Sequence, residues 1–135
     1  MLKKYFVTVF VGALAFMGVV TATAAEVDLS KLPPASDKKD LTYDKDIKAV
    51  FEKNCFKCHG PEKQKAKLRL DSLAAALKGS ENGEVITKGN SAKSGLVQAI
   101  ARLDPDAAMP PDGKGDPLSK ETIGLVRAWI DQGAK

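Results

Sequence analysis

The chain has 135 residues, of which 44% are hydrophobic and 6% aromatic, enough for one small domain and a leader but not for two independent cores. Its formal charge is +4, and removing Lys3 and Lys4 with the leader described below leaves +2 (4 − 2), with no interleaving of basic and aromatic residues that would point to nucleic acid. The two cysteines and one histidine are one ligand short of a structural zinc site.

Residues 1–24 read as a secretory signal. Lys3 and Lys4 form its positive region, and residues 6–20 form an apolar stretch interrupted only by Thr8. Ala22-Thr23-Ala24 is a small-residue cleavage site, with cleavage after Ala25 as the near alternative. If the segment is not cleaved, it anchors the chain in the membrane, although spanning prefers about 20 apolar residues. The reading places the mature protein in the periplasm.

Residues 25–40 contain Pro33-Pro34 and alternating charges without apolar periodicity, which predicts a flexible arm. The folded domain is expected over residues 41–135. Residues 44–53 predict a first helix, capped by Thr42 or Asp44, with Asp44 and Asp46 placing negative charge in its first turn. Ile47, Val50 and Phe51 form its apolar stripe and lead into Cys55.

Cys55-Phe56-Lys57-Cys58-His59 has the spacing C-x-x-C-H, and it contains every cysteine and histidine of the chain. This is the attachment pattern for a c-type haem. Two thiols one helical turn apart can add across the two vinyl groups of one porphyrin. The histidine directly after them then lies under the ring, as proximal ligand to the iron. A carbonyl in the following Gly60-Pro61 turn can fix the tautomer of His59 through Nδ1–H. Thiol redox chemistry fits less well, because no βαβ pattern surrounds Cys55. A disulfide across two residues would be strained and would give His59 no role. With so few aromatics, a large apolar cofactor would also supply the bulk that the core lacks.

The stretch 62–69 is basic, with Lys63, Lys65, Lys67 and Arg69. It reads either as a docking patch for an acidic redox partner or as a solvated loop. Leu68 and Leu70 are expected to tuck beside the porphyrin as an extended segment. Asp71 or Ser72 caps a short helix through Lys78 that Gly79 ends. Val85-Ile86 lies in a loop, and Asn90 or Ser91 caps a third helix to about residue 103, with Leu96, Ile100 and Leu103 inward. Asp104-Pro105 breaks that helix. Residues 106–117 form a loop stiffened by Met109-Pro110-Pro111. Ser119 caps the last helix, in which Ile123, Val126 and Ile130 face inward, Trp129 packs near Phe51, and Gly133 follows the end.

Met109 is the expected second axial ligand. His59 is the only histidine, and Met1 and Met17 leave with the signal. The remaining thioether lies 50 residues after His59 (109 − 59) in a stiff loop from which it can reach the opposite haem face. The alternative is a methionine that fills a gap in the core.

Together, Cys55-Phe56-Lys57-Cys58-His59-Gly60, Leu68-Arg69-Leu70-Asp71, Lys88-Gly89-Asn90, Met109-Pro110-Pro111, Trp129-Ile130 and Gly133-Ala134 resemble the class I cytochromes c, and within them the planctomycete-type cytochrome c domain. The resemblance covers residues 41–135. It implies a small all-α fold of about four helices around one covalently bound haem c, with the first and last helices crossing near one haem edge. Cys55 and Cys58 would be the thioether sites, and His59 and Met109 the axial ligands. The implied function is single-electron transfer between exported or membrane-bound protein partners, and not enzymatic catalysis. Two alternatives stand beside it. One is a haem enzyme or gas sensor with a labile distal ligand. The other is a cytochrome subunit docked to a membrane oxidoreductase.

Overall fold

The computed structural model describes residues 26–135, so the expected leader and its cleavage site lie outside the described residues. Among those residues the regular structure is helical, with no strand, in keeping with the all-α expectation. No described helix is long and apolar enough to cross a membrane.

The first helical segment starts at Thr42, whose extended backbone (φ −127°, ψ 155°) lets its hydroxyl accept the Lys45 N–H at 3.4 Å. Asp46 returns the contact by accepting the Thr42 N–H at 2.9 Å, so two free donors of the helix start are satisfied reciprocally. A wide π turn over Tyr43–Ile47 precedes helix α1, Lys48–Asn54. The turn buries both Tyr43 and Ile47, and Phe51 follows inward from α1. The backbone then kinks at Cys55 (φ −125°, ψ −35°), so the attachment motif forms its own short helix α2, Phe56–His59. The kink explains why the described residues hold five α-helices where about four are expected.

Helix α3, Leu73–Lys78, is capped by Ser72 and stops at Gly79, as its sequence predicts. Helix α4 is much shorter than predicted, at Gly95–Ile100. Its expected caps are committed elsewhere. Asn90 accepts the Lys93 N–H at 3.1 Å in a separate turn, and Ser91 donates to Asp131 through both its N–H (2.7 Å) and its hydroxyl (3.0 Å). Its end comes before Asp104-Pro105, where Arg102 turns left-handed (φ 56°). Leu103, expected on the buried stripe, is only half-buried.

Helix α5, Lys120–Asp131, starts at the Ser119 cap and lies behind α1. Tyr43, Phe51 and Trp129 meet there with all three ring-centroid separations at 6.2 Å, and Phe51 meets Trp129 edge to face. Such contacts add about 0.5–1.5 kcal/mol per pair beyond simple area burial. The Lys135 main-chain oxygen accepts both the Tyr43 N–H (2.6 Å) and the Trp129 indole N–H (2.9 Å). The two ends of the domain are thereby joined behind the attachment motif.

The segment expected to be a flexible arm is tied to α5 over residues 33–38. Ser36 N–H donates to Gly124 O at 2.9 Å, the Gln132 amide donates to Lys38 O at 2.8 Å, and Arg127 donates to Pro33 O. Gly124 permits this approach, since a Cβ there would lie 2.6 Å from Pro34 O. A glycine inside a helical pattern is the sequence mark of close backbone contact.

Candidate functional site

Helix α2 positions the attachment residues through its single turn. Cys58 N–H and His59 N–H both donate to Cys55 O, at 3.0 and 2.8 Å, so the two sulfurs and the imidazole leave one turn of backbone together. The His59 carbonyl accepts the Leu70 N–H at 2.8 Å, which aligns the extended stretch after residue 67 with the motif. Leu70 is fixed from behind as well, because the buried Tyr43 hydroxyl donates to its carbonyl at 2.6 Å.

These constraints frame a cavity of about 350 Å³. Cys55, Cys58 and His59 form one part of its wall. Leu68 and Leu70, both buried, form another, and Leu96 and Ile100 of α4 a third. Met109, Pro110 and Pro111 line it from the loop that follows α4. The structure therefore gathers all four sequence-predicted site residues, separated by up to 54 positions (109 − 55), around one largely apolar space. Met109 is 37% exposed, a poor match to a core filler.

The chemistry of the donors fits a haem. Both cysteines are free thiols, and burial pushes the Cys55 thiol up to about 12. Redox-active cysteines show the opposite, a lowered pKa in an electropositive setting, so the microenvironment counts against thiol exchange. Burial also lowers the proton affinity of His59, and the Lys65 charge reinforces the effect. A neutral imidazole is the form that binds a metal. Its Nδ1 is buried without a hydrogen-bond partner among the described residues, so the carbonyl expected to fix the tautomer does not do so here. Gly60 instead donates to Lys63 O at 2.9 Å, which closes the turn without reaching the ring. Burial of Nδ1 leaves Nε2 as the ring nitrogen available to the cavity.

The basic stretch is weaker than its sequence suggests. Arg69 is held by Asp71 in a two-point contact at 2.9 and 2.6 Å, and Lys67 pairs with Glu81 at 3.7 Å. Lys63 and Lys65 are exposed and make no ion pair among the described residues. Two cations not singled out by sequence line the cavity itself, namely Lys57 within the motif and Lys114 beyond the methionine loop. Lys57 lies inside the attachment motif, whereas nothing local in the sequence brings Lys114 to the same mouth.

Residues 55–113 match a family model described as planctomycete cytochrome C. The matched segment begins at the first thiol and ends just past the methionine loop, so it takes in the whole attachment motif and Met109 but neither α1 nor α5. No curated protein and no solved structure matches the chain.

Proposed function

We propose that this chain, cytochrome c-type over residues 55–113, is a monohaem electron carrier that works between protein partners in the periplasm. The observation that carries the reading is the convergence of two thiols, one imidazole and one thioether on a single apolar cavity. A haem held there supplies a reversible one-electron couple at its iron. Cys55 and Cys58 would hold the group through thioethers, each formed by adding S–H across a vinyl double bond with no net redox change. His59 would hold the iron through its ring nitrogen and Met109 through its sulfur. A thioether favours the ferrous state and raises the potential. Leu68, Leu70, Leu96 and Ile100 would keep water from the ring. An iron held by both His59 and Met109 would have no site open to a substrate, and this favours a carrier over an enzyme. Residues 1–24 serve as the export signal and residues 41–135 as the haem domain.

The test is the purified holoprotein. It should gain the mass of one haem, keep that haem through acid–organic extraction, and show a six-coordinate low-spin spectrum with a weak long-wavelength sulfur–iron band. Release of all the haem in the extraction refutes the thioether assignment.

The free cations near the cavity suit an acidic partner. Reversing Lys57, Lys63, Lys65 and Lys114 to Glu should slow association with the physiological partner strongly at low salt. The difference should vanish near 1 M salt, where the screening length is about 3 Å. Equal association rates at low salt would leave these lysines as ordinary solvated surface.

A further inference from the structure

Helices α4 and α5 end in the same backbone motif with different residues at its left-handed position. After α5, Gly133 (φ 100°) donates to Ile130 O at 2.9 Å and Ala134 donates to Trp129 O at 3.0 Å. After α4, Arg102 (φ 56°) donates to Ala99 O at 3.0 Å and Leu103 donates to Gln98 O at 3.1 Å. Glycine is the usual occupant of this position, because a Cβ is strained there. Arginine in the same place therefore calls for a use of its side chain.

That use is visible in the methionine loop. Arg102 Nη1 donates to Pro110 O at 2.7 Å, and Nη2 pairs with Asp112. Met109 N–H donates to Ala99 O at 3.0 Å, the same carbonyl that accepts the Arg102 N–H. The last turn of α4 thus grips the loop on both sides of the Met109 side chain, through main chain at 109 and through guanidinium at 110 and 112. The two guanidinium contacts are unequal. The Asp112 side chain is 93% exposed, so solvent screens that pair, whereas the Arg102 side chain is only 27% exposed where it meets the Pro110 carbonyl.

We propose that Arg102 is a positioning residue that holds the 109–112 loop so that the Met109 sulfur stays over the cavity. The inference rests on the reading of Met109 as an iron ligand, and it adds the residue on which the permanence of that ligand depends. Sequence alone gave no sign of this role, since an arginine near the predicted end of a helix is ordinary.

Arg102→Gly separates the two possible roles. Glycine relieves the left-handed strain and keeps the turn, so a residue that serves only the turn predicts unchanged or higher thermal stability and unchanged iron ligation. A positioning residue predicts a folded holoprotein with a looser loop. Hydrogen exchange at the Met109 amide and carbon monoxide association with the ferrous form should both rise roughly tenfold or more, the change expected from losing one hydrogen bond with a charged donor. Asp112→Asn, which removes only the exposed pair, should raise either rate by less than roughly fivefold. Wild-type values for both rates in Arg102→Gly overturn the proposal. A wild-type holoprotein without the sulfur–iron band overturns the ligand reading instead, and Met109 amide exchange then decides alone whether Arg102 holds the loop.

Discussion

Met109→Ala is expected to open one axial position of the iron and change its chemistry more than any other single substitution. The side chain lines the cavity from a loop stiffened by two prolines, and it is the sole methionine of the described residues. Without its sulfur, the long-wavelength band should disappear and carbon monoxide should bind the ferrous protein readily. The reduction potential should fall by a sizeable part of the ~0.8 V that axial ligands span among haem proteins. Met109→His should keep six ligands and still lower the potential, because imidazole favours ferric iron more than thioether does. Spectra and potentials of the three proteins decide the matter. A wild type that is already high-spin and binds carbon monoxide at once favours the enzyme or sensor reading.

Replacing Cys55 and Cys58 together with Ser should cost the protein its fold as well as its cofactor. The cavity they line is about 350 Å³. That space opens to solvent, so without a haem water enters where the ring would pack and the apolar wall loses that contact, in a domain small enough for its core to be marginal. Secretion yield and helical circular dichroism should therefore both fall sharply in the double variant. A helical apoprotein that melts cooperatively contradicts this expectation.

Much of the site was legible because its chemistry is local. The C-x-x-C-H spacing fits within one helical turn, and α2 is that turn. Counting histidines and methionines singled out Met109 without any knowledge of the fold, and the structure brings it to the same cavity as His59. Caps were legible for the same reason, as Thr42, Ser72 and Ser119 show. Features that depend on distant partners were not. Asn90 and Ser91 have the composition of a helix start, but Asp131, 40 residues away, takes the N–H and hydroxyl of Ser91. Residues 33–38 look like a tether because they lack apolar periodicity, yet backbone hydrogen bonds to α5 need no such pattern. The basic run after residue 62 looked like one patch until Asp71 and Glu81 each claimed a member.

Tyr43 and Trp129 are 86 positions apart (129 − 43), yet their rings touch behind the attachment turn. Closing that interval costs chain entropy, although the cost grows only slowly with its length. In a chain growing from its N-terminus, Cys55 and Cys58 are made well before α5, so they emerge before Trp129 can pack against Tyr43 and Phe51. The completed core, with Trp129 and Ile130 in it, leaves Cys55 partly buried. The attachment turn is thus backed only once residues 120–131 have been made, and until then its thiols lack part of the core against which Cys55 packs.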